Sequence, residues 1–143
     1  MARSLKGVIK MALYTGCIKK VSSWEQGLRI SVMSRHTLID GETPDPEIIE
    51  GKNYIWWWPE LGPPATLIGS YYKRGLSWEE FEKRYREHLQ NPESISKINQ
   101  LIEMARLQSA IVLCVEPTSE FCHRRLLAEE CKKLAPDLEV YIE

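Results

Sequence analysis

The stretch "SAIVLCV" at 109–115 constrains the fold most: it is almost unbroken apolar sequence, and it passes at once into the charged, proline-containing "EPTSEFCHRR". A short run of this kind reads as a strand buried on both faces, and such strands belong to parallel sheets covered on each side. It is expected at the centre of the sheet. "GVIKMALYT" and "GLRISVMS" read as two further strands, adjacent to each other, with the short polar loop "GCIKKVSSWEQ" between them. The closing "LEVYIE" alternates and ends the sheet.

Helical periods fill the space between these strands. In "LSWEEFEKRYREHLQNP" Ser77 precedes Glu80 by three residues, a capping-box pattern, and Trp78, Phe81, Tyr85, His88 and Leu89 define one buried face. Pro92 and Ser94 restart the chain into a second helix, on which Ile95, Ile98, Leu101, Ile102 and Ala105 keep the 3.6-residue period. A third helix is predicted over "TSEFCHRRLLAEECKKLAP", with Thr118 or Ser119 as cap, Glu120 in the first turn, Lys132 and Lys133 in the last, and Pro136 as the stop. Prolines at 59, 63 and 64 exclude a long regular element there, and "DGETPDPEIIEGKN" reads as turns with at most one short helix. The expected fold is an α/β three-layer sandwich, with a mostly parallel central sheet of about four to five strands flanked by helices, in one domain over 1–143.

A chain of 143 residues is long enough to bury one substantial core. No stretch approaches the roughly 18 to 20 apolar residues that span a bilayer, so no membrane partner is expected. Lys10 interrupts the apolar part of "MARSLKGVIKMALYTG", which reads as a first strand rather than a leader peptide. Cysteines at 17, 114, 122 and 131 are few for a disulfide scaffold and fit a reduced, cytoplasmic chain. A net charge of −1 argues against a dedicated duplex-DNA binder. The charge is uneven, however, with seven Lys or Arg against one Glu in residues 1–36 and one Lys against six acids in 37–70.

Chemistry concentrates at the junction after the buried strand. Ligands of open α/β sheets bind beyond the carboxyl ends of the strands, where helix N-termini present unpaired N–H groups. Three uses of 114–124 follow. As an anion site for phosphate, nucleotide or nucleic acid, it would employ the helix terminus and Arg124, with Glu116 orienting a base or sugar hydroxyl. As a hydrolase or transferase site it would use Cys122 or Cys114 as nucleophile and His123 or Glu116 in proton transfer, although adjacent helical residues point about 100° apart. As a metal site it would draw on Cys114, Cys122 and His123, three donors where structural zinc takes four. No cofactor is predicted. The blander alternative makes the thiols core residues, and Cys131, four residues beyond Leu127, is read as core in any case.

The strand ending in Cys114, the acidic loop and "CHRRLLAE", together with "GLRISVMSRHT", the "W..LGPP" loop and "WEEFEKRYREHL", resemble the domain of unknown function 488 (DUF488) family over about 14–142. The resemblance implies a small α/β domain whose recurrent polar positions correspond to Arg29, Arg35, Cys122, His123 and Arg124. Some relatives carry a Cys-His-Arg pattern read as a nucleic-acid or metal site. Ser34-Arg35 here replaces the commoner Asp-Arg pair, which removes an acid from that position.

Two more features complete the candidate set. If the second strand lies parallel beside the buried one, Arg35 and His36 reach the same rim as Glu116 and Arg124. Trp56, Trp57 and Trp58 are contiguous and cannot all enter one core, so at least one is expected to be exposed. Trp57 and Tyr72 are therefore candidates for stacking on a ligand, while the same aromatic loop is the candidate face of a homodimer. The expected partners are thus an anionic small molecule or nucleic acid, or a second copy of the chain.

Overall fold

The computed structural model describes residues 11–20, 27–116 and 120–143. Five strands form one sheet: β1 (Ala12–Cys17), β2 (Leu28–Ser31), β3 (Trp56–Trp57), β4 (Ala110–Cys114) and β5 (Glu139–Tyr141). All are parallel, in the order β3-β2-β4-β1-β5. The apolar run is thus the central strand, and each of its five residues is buried. The first two strands are not neighbours as the sequence suggested, because β4 is inserted between them and bonds to both. The part of the first predicted strand before Met11 lies outside the described residues.

The helices are α1 (Ala65–Lys73), α2 (Trp78–His88), α3 (Pro92–Gln108) and α4 (His123–Leu134). The connections β3→β4 and β4→β5 move along the sheet in the same direction. Right-handed crossovers then place all four helices on one face. Leu67, Phe81, Tyr85, Ile98, Leu101, Leu126 and Leu127 accordingly share one core with Leu13, Ile30 and Val112 of the sheet. On the other face Ile111 and Leu113 pack against Ile48 and Tyr54 from an irregular segment. The α/β sandwich expected from the sequence is therefore present, with loop rather than helix as the second cover among the described residues.

Local signals explain most helix boundaries. Ser77 Oγ accepts the Glu80 N–H at the start of α2, and Asn91 Oδ1 accepts the Ser94 N–H before Pro92 opens α3. On α3 Ser94 is buried, whereas Ile95, assigned to the apolar face, is exposed. The main departure is α4, which begins at His123 rather than near residue 119. Cys122, the N-cap, has the extended backbone usual at that position (φ −137°, ψ 140°), so Glu120 precedes the first turn, and its sulfur is bonded to Cys114 at the end of β4. Thr118 and Ser119, the expected caps, lie outside the described residues. The C-terminal signals hold: Lys132 and Lys133 occupy the last turn and the helix stops before Pro136.

Candidate functional site

Beyond the carboxyl ends of β1, β2 and β4 lies a cavity of about 330 Å³. Its base is the strand-to-helix junction, supplied by Cys114, Glu116, Cys122 and His123. One side is the loop after β2, with Ser34, Arg35, Leu38 and Ile39, and the other is the aromatic group Tyr71, Tyr72, Trp78, Phe81 and Phe121. Lys19 and Asp45 complete the polar wall.

Close backbone approach builds this rim. A Cβ on Gly62 would lie 2.6 Å from Ser34 Oγ and 2.7 Å from the Ser34 nitrogen, so only glycine lets the "LGPP" loop lie against the end of β2. Ser34 Oγ then donates to the Pro63 carbonyl. From below, the buried Tyr85 hydroxyl donates to the Leu61 carbonyl at 2.6 Å, tying α2 to the same loop.

The charged wall groups differ in how far they are satisfied. Lys19 pairs with Asp45 at 3.1 Å and with Glu47 at 3.0 Å, which joins the basic first segment to the acidic one. Glu116 accepts a 2.5 Å hydrogen bond from the Tyr72 hydroxyl. Burial, and then this carboxylate, push the Tyr72 phenol well above its ordinary pKa, so it acts as a donor. Arg35 has neither an ion pair nor a hydrogen bond among the described residues. Its guanidinium lies over Gly41, at φ +78°, where an added Cβ would come within 2.8 Å of Nη2.

His123 is held neutral. Loss of hydration lowers its pKa to about 4, so Nε2–H donates to the Val32 carbonyl at 2.7 Å and the lone pair remains on Nδ1. Arg124 is entirely buried beneath the cavity and is not part of its wall. It donates through Nη1 to the Glu116 main-chain oxygen at 2.6 Å, and the same nitrogen is 3.2 Å from Cys114 Sγ and 3.7 Å from Cys122 Sγ.

The four cysteines are not all reduced thiols, as counting them suggested. Cys114 and Cys122 form a disulfide, while Cys17 and Cys131 are free and buried. Burial pushes the Cys131 thiol up to about 12, in keeping with a core residue. Ligand atoms of Cys114, Cys122 and His123 lie within 4.8 Å of one another. The guanidinium against both sulfurs repels a cation there, and the bridge occupies the thiolates a metal would need.

Of the residues singled out in the sequence, Arg35, Tyr72, Cys114, Glu116, Cys122 and His123 meet around the cavity. Arg29 does not reach it. That side chain is wholly buried, and its Nε donates to the Asn53 carbonyl at 2.7 Å and its Nη2 to that of Ile18 at 3.1 Å. His36 is bonded to Ser31 Oγ at 2.7 Å, and burial lowers its pKa to about 4. Its ring packs on Tyr54 and on Trp57, with centroids 4.6 and 4.2 Å apart. Trp57 donates to the Met33 carbonyl at 2.7 Å and lines a separate groove with Trp56, Trp58, Met104 and Leu107. Trp58 is buried, whereas Trp56 and Trp57 are 38% and 41% exposed, as three consecutive rings require. Sequence reading passed over Lys19 and Phe121, and it assigned Trp78 and Phe81 only to a core. Phe121, 52% exposed beside Cys122, was the one available signal.

The molecule is therefore an α/β sandwich with a partly aromatic cavity at the carboxyl rim of a parallel sheet. The chain belongs to the DUF488 family: the family model described as the active DUF488-N3 subclade matches residues 14–135. No curated protein and no solved structure matches it. No described helix is long and apolar enough to cross a membrane.

Proposed function

We propose that the protein binds a mononucleotide-sized ligand in this cavity, with Arg35 as partner of its anionic group. The observation that carries the reading is the guanidinium of Arg35, a cavity-wall charge without a protein partner among the described residues, next to wall charges that are already paired. An arginine free to form two parallel hydrogen bonds suits phosphate or carboxylate. Tyr71, Trp78 and Phe121 give a planar group rings to stack on, worth roughly 1–3 kcal/mol for a base. Phe121 meets Trp78 edge to face at 5.5 Å. The Glu116 carboxylate is the acceptor for an amino group or a sugar hydroxyl.

Size favours this ligand over a strand of nucleic acid, since 330 Å³ lies at the lower end of small-ligand cavities. Charge favours it too, because the net value of −1 offers a polyanion little attraction. Arg124, the anion partner expected from the sequence, contributes instead by fixing the Glu116 main chain.

A second reading makes the same ligand a substrate. The subclade is described as active, and Glu116 with Tyr72 forms a hydrogen-bonded acid–base pair on the cavity wall. Calorimetric titration of wild type and Arg35→Gln with phosphate, mononucleotides and short single strands tests binding. A charge-assisted bond of about 1.5–3 kcal/mol should make the mononucleotide dissociation constant roughly 10- to 100-fold larger in the variant. Equal affinities in the two proteins, or no binding by wild type, would overturn the reading. Turnover of the bound nucleotide, lost in Glu116→Gln, separates substrate from ligand.

A further inference from the structure

Arg124 is wholly buried, and no carboxylate forms an ion pair with it among the described residues. Among the described residues its Nε and Nη2 have no hydrogen-bond partner, while Nη1 faces the sulfurs of Cys114 and Cys122. A charge withdrawn from water is costly unless an opposite charge compensates it. The groups placed to supply that charge are the two sulfurs, which as a disulfide carry none. Cys122 is also the N-cap of α4, a helix of 12 residues, where the N-terminal N–H groups favour a thiolate.

We propose that Cys114 and Cys122 form a thiol–disulfide exchange site that takes two electrons from a small-molecule monothiol entering by the cavity. Both cysteines are among the residues that line the cavity, so a thiol that enters it comes up against the bridge. An external thiolate attacks Cys122 Sγ, forming a mixed disulfide. The Cys114–Cys122 bond breaks, and its electron pair leaves on Cys114 as a thiolate beside Arg124 Nη1. A second external thiolate attacks the external sulfur of the mixed disulfide and expels the Cys122 thiolate. The two monothiols depart joined, each having lost one electron, and the protein bridge has gained two. A leaving thiolate of lowered basicity departs faster, which is the part Arg124 plays.

Other groups around the pair do not replace this role. His123 is neutral at pH 7, and Cys17, Glu143 and Glu116 act on Arg124 in that order of strength without an ion pair to it among the described residues, the Cys17 thiol donating to the Val115 carbonyl at 3.5 Å. The inference does not depend on nucleotide binding, since it is read on the protein's own thiols.

The test equilibrates the full chain with mixtures of reduced and oxidised glutathione, quenches with acid, and alkylates under denaturing conditions for site-mapped mass spectrometry. Wild type is expected to open the bridge in excess reduced glutathione, and Arg124→Met to shift the equilibrium toward the disulfide by about tenfold or more, the counterpart of a charge partner moving a pKa by one unit or more. In the reduced folded protein, Cys114 should alkylate with an apparent pKa at least about one unit below the free-cysteine value of roughly 8.5. If Arg124→Met does not fold, the wild-type alkylation profile decides, with Arg124→Lys retaining the low value. A bridge that survives excess glutathione in the folded protein, or a Cys114 with an ordinary thiol profile, would overturn the proposal.

Discussion

Acidification should destabilise the protein through His123. The imidazole contacts the Tyr85 ring edge to face at 5.4 Å and donates to Val32 from Nε2. Desolvation dominates its titration and, with a smaller push from Arg124, holds the pKa at about 4 against an ordinary 6.5, although the Val32 bond acts the other way. The unfolded chain therefore takes up this proton near pH 6.5 and the folded chain only near pH 4. Between those values the unfolded state holds more protons, so stability falls as the pH falls, and the loss is complete below the folded value. At about 1.36 kcal/mol per unit the whole loss is about 3 kcal/mol, of which about 2 kcal/mol has accrued by pH 5. Urea unfolding of wild type and His123→Gln at pH 7 and pH 5 isolates the effect. Glutamine keeps an N–H donor for Val32 and does not titrate, while His36, also held near 4, is common to both proteins and cancels in the difference. Wild type should lose about 2 kcal/mol more than the variant over this interval. Equal losses in the two proteins would refute the argument that desolvation keeps this ring neutral.

Two substitutions test how the rim is supported. Tyr85→Phe strands the buried Leu61 carbonyl at a cost of about 1–3 kcal/mol, so the thermal midpoint should drop by several degrees, while a midpoint within one degree of wild type would contradict the hydrogen bond. Ser77→Ala removes the cap of α2 and should cost about 1 kcal/mol in denaturant unfolding; an unchanged midpoint would show that tertiary packing alone holds that end.

The sequence by itself determined the central strand and the capped start of α2. Each rests on a local signal: five consecutive apolar residues need cover on both faces, and Ser77 needs only a neighbour three residues on. Where the local signal is weak, the structure departs from the reading. Only Leu67 of α1 is buried, the N-cap of that helix is Pro64, and it carries Gly69 internally, so neither periodicity nor capping announced it. β3 has two residues and exists because β2 offers it a hydrogen-bonding edge.

Tertiary structure decided the rest, because it sets distances between groups that the chain separates. Periodicity cannot show that β4 enters between β2 and β1, and that order brings Arg35 to the same cavity as Glu116. Spacing showed that Cys114 and Cys122 flank a turn, but only the fold of that turn bonds their sulfurs and starts α4 at His123. Arg29, Arg35 and Arg124 look alike as sequence. Packing buries two of them against carbonyl oxygens and leaves Arg35 on the cavity wall, without a protein partner among the described residues.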